Sequence, residues 1–182
     1  MDRLWAPWRE TYITKLIPKQ KSCTFCRILA AHKDKRHLIF IRKSYAYAVL
    51  NIYPYSNGHC LIVPNRHVGD ISKLSTKEYA ELMGLLRETK ELLQTVLGPQ
   101  GFNVGMNLGR VAGAGIPGHV HLHIVPRWRG DHNFMPVIAS TKVISTSLGV
   151  VYKKLDDAYK QASPKTEILS HAYTQRHRGA RK

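Results

Sequence analysis

The residues best suited to chemistry lie in the segment GHVHLHIVPRW, residues 118–128. His119, His121 and His123 occupy every second position, and apolar residues stand between them. In a strand, side chains alternate between the two faces, so the three imidazoles would share one face at a spacing of about 7 Å. Such a face has three interpretations: structural histidines, a three-histidine metal site, or a nucleophilic imidazole that acts on a phosphate with two histidine helpers.

A glycine-rich loop, GRVAGAGIPG, immediately precedes the alternating histidines and ends at residue 118. Glycine lets the backbone approach a ligand closely and lets N–H groups turn toward an anion. Because glycines also form ordinary turns, the loop alone is weak support for a ligand site. A glycine-rich loop that leads directly into alternating histidines favours the phosphate interpretation.

The chain has three cysteines, Cys23, Cys26 and Cys60. An odd number argues against a disulfide framework. Cys23 and Cys26 form a C-x-x-C pair, which is typical of half a metal site or of a redox pair, or can be incidental. The βαβ context of a thioredoxin-like pair is missing here. Cys60 lies in an apolar run and is predicted to be a small buried side chain.

Charge and hydropathy restrict the partners of the protein. There are 28 lysines and arginines against 12 aspartates and glutamates, a formal net charge of +16. Such a surface favours anionic partners, which include nucleotides and nucleic acid. No apolar run approaches the ~20 residues that span a bilayer, and the start, MDRLWAPWRE, has no apolar signal region. We therefore expect a cytoplasmic protein without a membrane partner.

The elements that must position these residues follow from periodicity and turn chemistry. A capping box, STKE at 75–78, predicts the start of a long helix that ends at Gly98-Pro99. A short helix is expected within 27–34 and a C-terminal helix within 141–161. Runs rich in β-formers predict five strands, at 37–43, 45–51, 59–64, 102–107 and 119–126. This order favours an α+β domain with a mostly antiparallel sheet.

Several longer segments resemble the histidine-triad (HIT) family. They are LNIYPYSNGHCLIVPNRH (50–67), GMNLGRVAGAGIPGH (105–119) and GDHNFMPV (130–137), in addition to the alternating histidines. The WAPWR start, the C-x-F-C pair and AGAGIP before the triad resemble the branch that acts on diadenosine polyphosphates. The resemblance implies a HIT-like fold, with one long crossover helix and a C-terminal helix on the sheet. From the residues themselves we expect a domain at 23–161, an N-terminal extension at 1–22 whose aromatic side chains pack on it, and a flexible basic tail at 162–182.

The activity that the resemblance implies is cleavage of dinucleoside polyphosphates, such as diadenosine tetraphosphate, or of related nucleoside phosphoric anhydrides. His121 matches the family's nucleophile, which forms a nucleotidyl-histidine intermediate. His123 matches a histidine that contacts the phosphate and stabilises developing charge. His59 matches a further histidine that helps to set the hydrogen bonding of the nucleophile. The family also implies a homodimer and no organic cofactor.

The family places amide side chains near ribose or phosphate, and Asn51 and Asn107 occupy those positions. Backbone N–H groups around Gly113 and Gly115 would complete a site for phosphate oxygens. Many family members have Gly-Gln in this loop, where Ala114 follows the glycine here. The departure leaves the final acceptor open: water would give hydrolysis, and inorganic phosphate would give phosphorolysis.

Some HIT proteins, and the related galactose-1-phosphate uridylyltransferases, hold a structural zinc with two cysteines, an upstream histidine and the first triad histidine. Cys23, Cys26, His67 and His119 match those places, and the set is suited to a closed tetrahedral site. By resemblance we therefore expect a structural zinc. The alternative function is a nucleotide- or nucleic-acid-binding protein of this fold with weak activity; the basic charge supports it, but the intact triad disfavours it.

Overall fold

The computed structural model of the chain describes residues 22–131 and 144–162. The predicted N-terminal extension and C-terminal tail therefore lie outside the described residues, apart from residues 22 and 162. Five strands are described: β1 (Ile39–Arg42), β2 (Ala46–Leu50), β3 (Cys60–Pro64), β4 (Gly101–Met106) and β5 (Leu122–Arg127). They form one sheet in the order β1-β2-β3-β5-β4 with antiparallel neighbours. The predicted α+β class and five-stranded antiparallel sheet are confirmed.

The described helices are α1 (Thr24–Ala30), α2 (Asp34–His37), α3 (Thr76–Leu97) and α4 (Leu148–Ala162), with a 3₁₀ turn at Ile71–Lys73. The capping box that predicted the start of α3 is present. The Ser75 side chain accepts from the Glu78 N–H, and the Glu78 carboxylate accepts from the Ser75 N–H. At its other end, Gly98 has a φ of 55°, a left-handed conformation that glycine adopts without steric cost. None of the described helices combines the length and the apolar character needed to span a bilayer.

The central strands β2 and β3 are buried on both faces of the sheet. Alternate residues of these strands pack beneath α3 and α4, and this larger core contains Leu50, Ile62, Leu85 and Leu155 among others. The opposite face carries a smaller cluster beneath α1: Phe25, Ile39, Tyr47, Val49, Leu61 and Val63. The register of β1 shifts between Ile39 and Ile41, so these two side chains belong to different clusters although they are two residues apart.

The last strand begins later than the sequence predicted. The pattern predicted a strand over 119–126, whereas β5 begins at Leu122. The Val120 N–H donates to the carbonyl of Val68, and the His119 N–H donates to that of Ile116. The first two triad histidines therefore lie in the segment that approaches the sheet, and only His123 is a residue of β5.

One aromatic side chain of α3 is exposed. Tyr79, in the first turn of the helix, is 46% exposed. Leu82, Leu85 and Leu93 are the fully buried apolar side chains of this helix.

Candidate active site

A pair of histidines, His59 and His123, links two neighbouring strands. His59 immediately precedes β3 and is completely buried. His123 lies on β5 opposite Leu61, on the face of the sheet that carries the smaller cluster. His59 Nε2 is 2.9 Å from His123 Nδ1, the distance of a hydrogen bond. His59 thus contacts the third triad histidine, and its predicted effect on the hydrogen bonding of the nucleophile stays a prediction.

Backbone contacts determine which nitrogen of each histidine in this pair carries the proton. The Tyr55 N–H donates to His59 Nδ1 over 3.1 Å. Because a backbone N–H can only donate, Nδ1 holds a lone pair, and neutral His59 carries its proton on Nε2. That proton is donated to His123 Nδ1, so neutral His123 carries its own proton on Nε2. His123 can therefore act as a hydrogen-bond donor from Nε2.

His121 has the opposite tautomer. Its Nδ1 is 2.9 Å from the carbonyl oxygen of His119, and since a carbonyl can only accept, Nδ1 carries the proton. The lone pair therefore lies on Nε2. His121 is 6% exposed, and burial lowers its pKa below the ordinary value, an effect that the hydrogen bond to the His119 carbonyl opposes. A neutral imidazole with a free Nε2 lone pair at pH 7 is a suitable nucleophile.

His119 is held by a third backbone contact. Its Nε2 is 2.8 Å from the carbonyl oxygen of Pro64, so Nε2 donates and Nδ1 holds the lone pair. This Nδ1 lies 3.3 Å from Cys23 Sγ and 3.6 Å from Cys26 Sγ. Burial is the main cause that lowers the pKa of His119 below its ordinary value. Its lone pair is therefore directed at the two thiols.

Cys23, Cys26, His67 and His119 form a four-residue cluster whose ligand atoms all lie within 4.8 Å of one another. Cys26 Sγ is also 3.4 Å from His67 Nδ1. Zinc binds sulfur at about 2.3 Å and nitrogen at about 2.0 Å, so tetrahedral angles put the two atom types about 3.5 Å apart. The three sulfur–nitrogen distances match this spacing. The donor set and its geometry therefore fit zinc.

Without a cation, the surroundings of the cluster disfavour the thiolate form of Cys26. Burial and the neighbouring Cys23 thiol raise the pKa of Cys26. Zinc binding requires deprotonated cysteines and neutral histidines. A divalent cation would offset the charges of two thiolates on adjacent turns of chain, so the chemistry of the cluster agrees with its geometry.

Space is left beside His123 on the side of β4. Gly105 is its direct partner on this strand, and a Cβ built there would meet no heavy atom of the described residues within 4 Å. Gly105 is exposed, and His123 is half-buried. A substrate phosphate could therefore approach His123 across the surface of the sheet.

Comparison with known proteins agrees with this geometry. The family model of the HIT domain matches residues 32–130. The chain belongs to the HIT family. It is 39% identical over 151 residues to the AP-4-A phosphorylase of Mycobacterium tuberculosis. The aligned region covers 79% of this chain and 77% of the relative. Adenosine 5'-monophosphoramidase of Schizosaccharomyces pombe is 32% identical over 106 residues, 58% of this chain and 74% of the relative.

Solved structures show the same fold. A zinc-bound histidine triad protein from Mycobacterium smegmatis superposes with a TM-score of 0.64 and covers 79% of this chain and 96% of its own. A histidine triad nucleotide-binding protein from Sulfolobus tokodaii gives the same score and coverage. Both are 24% identical to this chain, so the likeness concerns the fold.

Asn51, one of the two predicted amide contacts of this HIT protein, lies beside the histidine pair. Its Nδ2 is 3.3 Å from His59 Nδ1, and its Oδ1 accepts from the Tyr53 N–H. The side chain thus stabilises the turn that carries Tyr55. Its predicted contact with ribose or phosphate would have to be made by the remaining Nδ2 hydrogen.

The glycine-rich loop is closed on itself in the HIT protein. Asn107 Nδ2 donates to the carbonyl of Gly113, and the Gly113 N–H donates to that of Arg110. The predicted anion contact of the Gly113 N–H therefore requires that this hydrogen bond open. Gly115 is half-buried in the bend that follows. Ala114 is buried and offers only a methyl group at the position where the resemblance implied a glutamine.

Two aromatic residues of the site were missed in the sequence. Phe25 contacts the rings of both His119 and His121, and Tyr55 stacks on the rings of His59 and His123. Phe25 is the residue enclosed by the C-x-x-C pair, and Tyr55 lies in the turn before His59. Their proximity to cysteine and histidine was the available signal, but only the tertiary structure brings the rings together.

Proposed function

We propose that this HIT protein cleaves diadenosine polyphosphates, such as diadenosine tetraphosphate, or related nucleoside phosphoric anhydrides, with His121 as nucleophile. The hydrogen bond from His121 Nδ1 to the His119 carbonyl carries the proposal, because it leaves the Nε2 lone pair for attack. The likeness to AP-4-A phosphorylase supports this substrate class. The net charge of +16 would attract a polyanionic substrate.

The reaction proceeds in two displacements. In the first, the Nε2 lone pair of His121 forms a bond to phosphorus while the bridging P–O bond breaks, and its electron pair leaves with the departing nucleotide. In the second, an oxygen of the acceptor forms a bond to the same phosphorus, and the P–N electron pair returns to Nε2. Two easier steps replace one difficult displacement.

His123 stabilises the transition state of both displacements. Its Nε2–H, which the hydrogen bond from His59 places on that nitrogen, donates to a phosphoryl oxygen as negative charge develops there. Asn51 supports the same pair through His59 Nδ1. Asn107 and the backbone at Gly113 and Gly115 line the approach and contact ribose or phosphate once the loop opens.

The acceptor is tested by product analysis. Diadenosine tetraphosphate is incubated with the protein with and without inorganic phosphate, and the nucleotides are separated. We favour phosphate as acceptor, because the 39% identical relative is a phosphorylase and Ala114 cannot reproduce the contact of a glutamine. ADP and ATP should then form only when phosphate is present. AMP and ATP without phosphate would identify water as acceptor, and no cleavage under either condition would refute the proposed activity.

The nucleophile is tested with His121→Asn. Turnover should fall by roughly 10³-fold or more, since residues that act as one catalytic unit are each indispensable, while nucleotide binding is largely retained. His32→Asn is the control, because His32 is exposed and asparagine accepts its φ of 47°. Wild-type-like turnover of His121→Asn would refute the mechanism.

Cys23, Cys26, His67 and His119 are proposed to hold a structural zinc. When bound, the metal would cross-link α1 to the triad segment through coordination bonds to Cys23, Cys26 and His119. No step of the reaction passes through the metal. The matching sulfur–nitrogen distances support this assignment. Protein purified without added metal should contain one zinc per chain, and Cys26→Ser should contain far less. A wild-type content far below one would refute it.

We further propose a cytoplasmic homodimer. Three free cysteines are compatible with a reducing compartment. β4 is an edge strand of the sheet, and its Val104 is 50% exposed. Light scattering should give twice the mass of one chain.

The alternative function is that of a nucleotide- or nucleic-acid-binding protein of this fold. Binding of nucleic acid with negligible turnover of diadenosine tetraphosphate would favour it.

A further inference from the structure

Phe25 occupies an unusual position for a core side chain. It lies on α1 between the two cysteines of the proposed metal site and is 5% exposed. Its ring centroid is 5.4 Å from that of His119, in an edge arrangement, and 5.0 Å from that of His121, at a tilt of 55°. One apolar side chain therefore contacts both a proposed metal ligand and the proposed nucleophile.

The helix that carries Phe25 is not stable by itself. α1 has seven residues, its N-cap Cys23 makes no side-chain cap, and no acidic residue lies in its first turn. A helix this short is marginal without tertiary contacts. Its ties to the sheet include the Tyr47 hydroxyl, which donates to the Phe25 carbonyl, and Arg42, which donates to the Leu29 carbonyl. Apolar side chains of α1 also pack on the smaller cluster, and its two cysteines approach the two histidines.

The His121 ring needs lateral support to attack in the correct direction. Its hydrogen bond to the His119 carbonyl fixes one ring atom but still permits the ring to tilt about that contact. The Phe25 ring and the His123 ring each contact it at a centroid distance of 5.0 Å and a tilt of 55°. Displacement of Phe25 would therefore leave His121 free to tilt away from phosphorus.

We propose that Phe25 is a positioning residue for His121 and that occupation of the Cys₂His₂ cluster orients the nucleophile through it. The inference rests on the proposed zinc site and on the proposed role of His121. With zinc bound, both cysteines that flank Phe25 are fixed, and so is the ring between them. Without zinc, the two thiols lose this tie, α1 loosens, and the ring no longer limits the tilt of His121.

The test compares Phe25→Leu with Phe40→Leu in the full-length protein. Leucine keeps an apolar side chain at residue 25 but removes the aromatic contact. Phe40 is 4% exposed and belongs to the core on the opposite face of the sheet, so it controls for loss of a buried ring. The first measurement is the side-chain ¹⁵N spectrum of His121 in the zinc-loaded and the zinc-free protein, with zinc content determined in parallel.

In the wild-type protein and in Phe40→Leu, removal of zinc should shift the His121 signals. In Phe25→Leu the zinc-loaded signals should already be displaced, and removal of zinc should change them much less. The second measurement is steady-state cleavage of diadenosine tetraphosphate by the zinc-loaded proteins. A 1 Å misplacement costs up to about 10²-fold, so kcat of Phe25→Leu should fall by about tenfold or more with little change in KM, and Phe40→Leu should retain kcat.

Several results would overturn the inference. They are His121 signals that do not respond to zinc in the wild-type protein, an equal response in Phe25→Leu, or failure of the wild-type protein to bind zinc. Phe25→Met serves as the second variant if thermal unfolding shows that Phe25→Leu is not folded. Failure of the proposed activity is distinguishable, because the spectra would then show the coupling while the wild-type protein does not cleave the substrate.

Discussion

Substitution of Gly105 should separate stability from activity. Gly105 lies on the edge strand β4 opposite His123, and a Cβ there would meet no heavy atom within 4 Å in the part of the chain that the structure describes. Directly opposed residues have Cβ atoms about 5 Å apart, so a side chain at residue 105 would project beside the His123 imidazole. We predict that Gly105→Val gives a protein that is more stable and less active than the wild type.

Both magnitudes follow from this position. The φ of Gly105 is not positive, so valine adds no backbone strain. Glycine within a strand costs about 0.5–1 kcal/mol relative to alanine, and β-branched residues favour strands. The free energy of unfolding should therefore rise by about 1 kcal/mol, or about 3 °C in Tm. The added methyl groups fill the space that the phosphate would use, and a 1 Å displacement of substrate lowers kcat/KM by about 10²-fold.

Gly101→Val is the matched control. Gly101 lies on the same strand and the same side, opposite Arg127, and its Cβ would also meet no heavy atom within 4 Å. Four residues of strand separate it from Gly105 by about 13 Å. Urea unfolding and steady-state cleavage of diadenosine tetraphosphate should show a similar gain in stability for both variants but a loss of activity for Gly105→Val alone. Wild-type kcat/KM in Gly105→Val would refute the placement of the substrate beside His123.

Three further predictions concern the aromatic contacts, acid stability and the metal. In steady-state assays, Tyr55→Ala should lower kcat about tenfold, whereas Tyr55→Phe should retain it. The reason is that Tyr55 stacks on both His59 and His123, and each stacked pair contributes about 0.5–1.5 kcal/mol. The guanidinium of Arg66 is the main cause that lowers the pKa of Glu78 from 4.5 to about 2. This stability is present above pH 4.5 and is lost as the pH falls toward 2, so Glu78→Gln should flatten the acid limb of unfolding free energy against pH in urea titrations. Chelation should release zinc and activity slowly and in parallel, with a lower Tm; immediate loss without zinc release would contradict a structural metal.

Local patterns predicted those elements whose determinants are close in sequence. Ser75 and Glu78 are three residues apart, and the capping box they form begins α3 where the sequence indicated. The start of β5 could not be predicted in this way. The N–H of Val120 donates to the carbonyl of Val68, which lies about fifty residues earlier in the chain. The change of face between Ile39 and Ile41 likewise depends on a shift in pairing with β2.

The candidate site was predictable in its residues more than in its contacts. Alternation alone left the three histidines with three interpretations, and resemblance to a family assigned their roles. The contact of His59 with His123, and the closure of Gly113 onto Arg110, depend on how loops fold against strands. No pattern in the sequence indicates that the ring of Phe25 contacts both a proposed ligand and the proposed nucleophile.

The different roles of His119 and His121 follow from which ring nitrogen the backbone occupies. His119 donates from Nε2 to the Pro64 carbonyl, so its lone pair on Nδ1 faces the thiols. His121 donates from Nδ1 to the His119 carbonyl, so its lone pair on Nε2 is left for phosphorus. The spacing H-x-H does not determine which nitrogen of each ring keeps the lone pair. His119 contacts the thiols through its side chain and accepts from His121 through its backbone carbonyl, so a substitution there that also moves the backbone would change metal binding and the hydrogen bond of the nucleophile together. Cys26 and His67, which contact each other at the exposed side of the cluster, are therefore the positions at which the metal can be removed while the hydrogen bond of His121 to the His119 carbonyl is kept.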